Sequence, residues 1–405
     1  MRRIVFWTSV GLIFVLPWEN AMRIGGLGTV SKTVGLSVAA LWAAAVIIMR
    51  RLRKPHIFHI LFFLFVLWNF ASILWSVDIE ASLQRSLTYL QLVGFALILW
   101  DLYRTGAALN TGLQAYVLGA YVAAGSIMAN YIAGIDAGNQ RFSVAGFNAN
   151  DIAQILALGM PVAWHLAVST TDSERIKGPV LRLINFAYLP IASFAIFLTG
   201  SRAVSFALIP IFLFVFMSLK RMRTNWRLTL GIALTAALFA QAILIPQSTY
   251  RRLANTATEI TEGDLNNRMS VWREGVAIFV ENPIVGIGSG AFRTGATETG
   301  KAPHNFVLSL LAELGIIGFS LFAAILIVVF YHARRQPSAS SNFWSTILIV
   351  WLFSAVTHNV EYRKQTWLFL GFVITSSALY VRREHSRLLS SQQLALHEYA
   401  ETHRI

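Results

Sequence analysis

The chain has 405 residues, a formal net charge of +14, 56% hydrophobic and 13% charged residues, and no cysteine. So apolar a composition excludes an ordinary soluble domain and marks an integral membrane protein, while the lack of cysteine excludes a disulfide framework, a thiolate metal site and a cysteine nucleophile. The basic residues are dispersed among apolar runs rather than gathered on one soluble face, which argues against nucleic acid as a partner and for membrane topology and anionic membrane lipids.

Apolar runs of roughly 17–25 residues recur from end to end, each long enough to cross a bilayer as a helix. The first, residues 4–18, follows Arg2 and Arg3 in the manner of a signal peptide, but no small-residue cleavage site precedes Glu19. A retained helix is expected there. Further spans are expected at residues 33–49, 56–76, 86–103, 109–133, 149–169, 183–199, 203–219, 228–245, 304–331, 342–358 and 365–381. This predicts an all-α, polytopic membrane protein of about twelve transmembrane helices in four parts. Residues 1–246 hold the first nine helices and residues 247–303 one large loop with short amphipathic helices. Residues 304–381 hold the last three, and 382–405 a polar tail.

Arg2, Arg3, the run Arg50–Lys54, Arg104, Arg175, Lys177, Arg182, the cluster Lys220–Arg227, Arg334, Arg335 and the tail arginines all fall on one side of this arrangement. The positive-inside rule then puts both termini in the cytoplasm and the large loop outside, in the periplasm if the cell has two membranes. Trp18, Trp75 and Trp100 are placed as interfacial anchors, and Gly119, Ala120, Ala123, Ala124 and Gly125 as a surface for close helix packing.

No Walker loop, His-Glu-x-x-His or Gly-x-Ser-x-Gly occurs. Gly286-Ile-Gly-Ser-Gly290 lacks the preceding strand and following Lys-Ser/Thr of a nucleotide cradle and reads as a turn. Only His56 and His59 approach metal-ligand spacing; neither metal nor cofactor is expected.

Three outer segments carry candidate chemistry. In Thr199-Gly200-Ser201-Arg202 two spans meet with almost no loop, which puts Arg202 at a helix start where backbone N–H groups and a guanidinium favour an anion. An arginine that snorkels to lipid headgroups is the equal alternative. Asn266-Asn267-Arg268-Met-Ser-Val-Trp272-Arg273 opens an amphipathic helix with Met269, Trp272, Val276, Phe279 and Val280 on one face, ending before Asn282-Pro283 and expected in or near the outer membrane interface with that face down. Arg268 and Trp272, one turn apart, suit a phosphate above an apolar lipid stem, whereas Arg273 reads as a surface residue. In Pro303-His304-Asn305 the loop re-enters the membrane. His304 either caps the next helix or acts as a base, and Glu313 at membrane depth favours a polar surrounding.

These segments resemble the bacterial O-antigen ligases and their relatives in the Wzy-C polymerase and ligase superfamily. The resemblance is carried by Gly200-Ser201-Arg202, Arg268 with Trp272, Asn282-Pro283 before Gly286-x-Gly288, and His304-Asn305-x-x-Leu308-x-x-Leu311-x-Glu313-x-Gly315, with Phe147-Asn148-Ala-Asn150-Asp151 also fitting. It implies an inner-membrane glycosyltransferase that moves a glycan from an undecaprenyl pyrophosphate carrier to a lipid A core, without metal or nucleotide. His304 would be the general base, and Arg202, Arg268, Trp272, Asn305 and Glu313 would bind pyrophosphate or substrate, with Ser201 and Arg273 at the margin. O-antigen polymerases and protein O-oligosaccharyltransferases share these residues; the short tail favours a ligase over protein glycosylation. A secondary transporter or lipid flippase is the rival from another class. It is disfavoured because the polar groups gather at the outer face rather than the midplane.

Overall fold

The computed structural model describes residues 1–24, 28–138, 140–169, 178–220, 224–254, 268–295, 297 and 300–402. Asn266, Asn267, Arg175, Lys177 and residues 221–223 lie outside them. The helices are α1 Arg2–Val15, α2 Val30–Met49, α3 Ile57–Ala71, α4 Ile79–Leu102, α5 Gly106–Ile132, α6 Ala149–Val168, α7 Pro179–Leu198 and α8 Arg202–Leu219. They continue with α9 Thr224–Leu244, α10 Gln247–Ala254, α11 Arg268–Glu281, α12 Phe292–Gly295, α13 Phe306–Arg334, α14 Ser338–Ala355 and α15 Lys364–Thr402. A two-stranded antiparallel ribbon pairs Arg23 with Thr29 and Ile24 with Gly28. Apart from that ribbon, the regular structure of the described residues is helical.

Every expected span coincides with a helix. Among the described residues, however, only seven helices are long and apolar enough to cross a membrane by themselves: α2, α3 with its continuation to Trp75, α5, α6, α7, α8 and α13. The others fall short for separate reasons. The α1 helix has 14 residues, and α4 carries Glu80, Arg85 and Asp101.

The molecule is organised around α6, whose residues Ile152–Trp164 are buried on every face. A helix apolar all round belongs inside, and α5, α7, α8 and α14 enclose it. Its first turn points Asn150 and Asp151 toward the expected outer side. Gly119 does permit a close helix approach, since a Cβ there would lie 2.0 Å from the Phe14 carbonyl oxygen of α1. Gly125, by contrast, faces outward with open space beside it. Two of the tryptophans expected to anchor at the lipid interface are satisfied within the protein instead. The Trp75 indole donates to the Val285 carbonyl at 3.3 Å, and the buried Trp100 indole to Lys54 at 2.9 Å. Each N–H, once removed from water, needs an acceptor, and a nearby carbonyl supplies it.

The span after the large loop is not one continuous helix. Gly315 (φ 64°, ψ −168°) breaks α13 nine residues in. The carbonyls freed there accept from Ile287 N–H (Ala312, 3.0 Å), Gly288 N–H (Glu313, 2.9 Å) and the Trp68 indole (Leu314, 3.0 Å). In return Ile316 N–H donates to Pro283 at 2.9 Å. A Cβ on Gly315 would lie 2.2 Å from the Ile284 oxygen, and one on Gly286 2.4 Å from the Glu313 carbonyl carbon. Only glycine permits both the left-handed backbone and the contact. The Asn282–Gly290 turn and the Glu313–Gly315 break, distant motifs in the chain, are therefore one interlocked unit, and Trp68 from α3 holds it.

Candidate functional site

Asn305 begins α13. Its side-chain oxygen accepts from Val307 N–H at 3.0 Å and Leu308 N–H at 3.2 Å, the standard satisfaction of free N–H groups at a helix start. The cap is thus Asn305, and His304 is released from that role. His304 itself adopts a left-handed backbone (φ 47°), uncommon outside glycine and worth explaining. Behind it, the Trp272 indole donates to the Pro303 carbonyl at 2.8 Å, so α11 is pinned to the residue preceding the histidine. Arg268, one turn earlier on α11, is thereby brought beside the imidazole.

The electrostatic neighbours run in a line. Arg268 is half-buried and depressed by burial and then by Arg202. His304 is held below its ordinary value by burial and then by Arg268, opposed by the Asp151 carboxylate and reinforced by Arg363. Asp151 and Arg363 form a 2.7 Å ion pair joining the start of α6 to the loop before α15. On the other flank, the Arg141 guanidinium reaches the Thr199 carbonyl at 2.7 Å and Asn150 at 2.5 Å, tying α6 to the turn that starts α8. Ser201 is buried there, its hydroxyl without a partner among the described residues. Four guanidinium groups set against one carboxylate make a fork-rich, electropositive lining that suits a phosphate-bearing ligand. At neutral pH the imidazole among them is uncharged and free to take a proton.

The structure thus brings together Arg202, Arg268, His304 and, through Pro303, Trp272. Others are engaged elsewhere. Asn305 uses its oxygen as the cap, and Arg273 is exposed. Glu313 is buried, accepting from Gly290 N–H at 2.8 Å, and it shares Arg85 of α4 with Glu361, which lies 3.9 Å from that guanidinium. Arg85 also stacks on Tyr362 at 3.7 Å. One cation thus faces two buried carboxylates, and Glu361 is pushed up to about 7, by burial against the pull of Arg85. Arg85→Leu is expected to cost about 3 kcal/mol, the usual penalty for stranding buried charge. It would be read as a lowered Tm in detergent; an unchanged Tm would mean that the carboxylates do not depend on Arg85.

On α11 the buried residues are Val271, Gly275 and Ile278, packed with Ile287, Phe292 and Ala312. Met269, Val276 and Val280, of the apolar stripe expected to face the membrane interface, are exposed on the protein surface. His56 and His59 form a capping pair at the start of α3.

Sequence reasoning missed Arg141, Arg363, His358, Glu361 and Arg85 as site residues, and assigned no role to Asp151. A signal did exist for the loop: Glu361, Arg363 and Lys364 crowd a short connection between two apolar runs on the expected outer side, where basic residues are disfavoured.

Apolar helices long enough to span a membrane, with a cationic, histidine-bearing cluster at one end, define a helical membrane protein with a candidate polar site. Residues 187–323 match the Wzy_C family, O-antigen ligase, and in this segment the chain is similar to the O-antigen ligase superfamily, a family of enzymes of the glycosyltransferase type. The match runs from α7 into α13 and contains Arg202, Arg268, Trp272, His304, Asn305 and Glu313. Asp151, His358 and Arg363 lie outside it. No curated protein matches the chain.

Proposed function

We propose that the protein is an inverting glycosyltransferase of twelve transmembrane crossings. It transfers O-antigen polysaccharide from undecaprenyl pyrophosphate to the lipid A core at the periplasmic face of the inner membrane, with both termini cytoplasmic. The observation that carries this reading is the juxtaposition of a neutral His304 with Arg268 and Arg202. The acceptor hydroxyl oxygen attacks the anomeric carbon while the bond to pyrophosphate breaks, and the bonding electrons leave on the pyrophosphate oxygen. The hydroxyl proton passes to the His304 ring. Arg268 and Arg202 stabilise the charge that grows on the leaving group, the part a metal ion plays in other transferases. Holding both lipid-linked reactants at one site removes much of the entropic cost of encounter. A lateral cavity of about 370 Å³ supports lipid access: Leu12, Leu36, Leu90 and Phe95 line it, and it ends at Arg363 and Lys364.

The test is transfer by purified protein in detergent, with carrier-linked O-antigen and lipid A core, chelator present and nucleotide omitted. A lipopolysaccharide ladder is expected. Extension of carrier-linked glycan without any ladder would instead make the protein a polymerase, and neither product from folded protein would favour transport.

A further inference from the structure

Beside His304 stands a second imidazole that the proposed reaction does not use. His358 lies in the loop after α14 and is 4% exposed, with its ring centre 6.2 Å from that of His304 and the planes at 71°. Its Nδ1 is 2.8 Å from Thr357 Oγ1 and 3.2 Å from the Ser354 carbonyl oxygen. The Thr357 hydroxyl also reaches that same carbonyl, at 3.1 Å. A carbonyl only accepts, and in the tautomer that donates to it the ring proton is on Nδ1. Nε2 is then a bare acceptor, and among the described residues it is buried with no hydrogen-bond partner, a state that a folded protein normally avoids.

We propose that His358 is a positioning residue whose Nε2 accepts the ring N–H of His304 when the site closes on substrate. That contact fixes the His304 tautomer and leaves the other ring nitrogen bare for the acceptor hydroxyl. The inference rests on the reading of His304 as general base. The present ring separation is a loose form of the contact, as is common before a substrate is bound. The groups facing His358 are Arg268 of α11, His304, and Arg363 before α15; with burial as the leading cause they hold it down to about 3. His358 therefore stays neutral and does not compete for the proton. A carboxylate in its place would orient His304 equally well but would repel the pyrophosphate that Arg268 attracts.

The experiment uses the full chain labelled with ¹⁵N-histidine in nanodiscs, with inorganic pyrophosphate as the closing ligand, comparing wild type with His358→Phe and His358→Gln. The His304 resonances are assigned by their loss in His304→Ala. We expect one His304 tautomer in wild type and a mixture in His358→Phe. His358→Gln, whose side-chain oxygen reaches the position of Nε2, should return to a single form. Transfer should fall about 10–100-fold in His358→Phe, a common cost of losing an orienting partner, at unchanged donor KM and unchanged Tm, and recover in His358→Gln. A His304 tautomer indifferent to His358→Phe overturns the inference. So does an equal loss of rate and Tm in both variants, which is the mark of packing alone. If His304→Ala still transfers glycan while the tautomer follows His358, the general-base reading fails and the contact stands.

Discussion

His304→Ala is expected to lose transfer by about 10²–10⁴-fold, the usual worth of a positioned proton acceptor, while the protein still folds and inserts. Folding is spared because the start of α13 is secured by Asn305 and not by the histidine. The same residue sets the pH dependence. The reactive form is neutral imidazole, and burial with Arg268 holds its pKa below the ordinary 6.5. In wild type kcat/KM should rise with pH through a value below 6.5 and be level near neutrality. Removing the neighbouring positive charge, in Arg268→Gln, raises the folded pKa, so the rising limb of the residual activity should move to higher pH. Wild-type rates in His304→Ala would take the histidine out of the chemistry, and a limb that stays in place in Arg268→Gln would separate the two residues.

Arg268→Lys should lower kcat by about 10²–10³-fold, the range seen when one preorganised donor to a developing negative charge is lost. Charge is conserved in this substitution, so the loss isolates geometry: an ammonium is a point donor, whereas the guanidinium holds two oxygens at once. The effect should fall mainly on kcat, because charge on the pyrophosphate grows as the glycosidic bond breaks. Arg273→Lys, further along α11 and exposed, provides the control and should leave the rate unchanged. Equal rates in wild type and Arg268→Lys would reduce Arg268 to a surface cation.

Much of the architecture was legible in the chain because a membrane imposes a length on apolar runs. The run expected at 304–331 appears as α13, Phe306–Arg334, and the run at 203–219 as α8, Arg202–Leu219. The glycine cluster was readable as a turn because it lacked every companion of a nucleotide cradle. What each helix turns toward was not legible. On α11 the stripe through Val276 and Val280 that the sequence assigns to the membrane interface is exposed on the protein, while the contacts that hold the helix to its neighbours are made by Val271, Gly275 and Ile278. Inside a membrane the lipid is as apolar as a neighbouring helix, so hydrophobic periodicity no longer distinguishes core from surroundings. The break at Gly315 was hidden for a related reason. A glycine in a spanning helix is ordinary, and only the Ile284 carbonyl lying against it shows why a side chain is forbidden.

The candidate site divides in the same way. The sequence alone determined that this is a helical membrane protein, that its suggestive polar groups lie on one expected side, and that Arg202, Arg268 and His304 stand at helix starts or loop ends. Charge scarcity makes such residues conspicuous one at a time. Only the tertiary structure decided that Arg268 and Arg363 both bear on His304, that Asp151 pairs with Arg363 across 212 positions of chain, and that Glu313 is turned away toward Arg85 and Glu361. Electrostatic interaction depends on separation in space and on burial, and neither quantity is written in the order of residues along the chain.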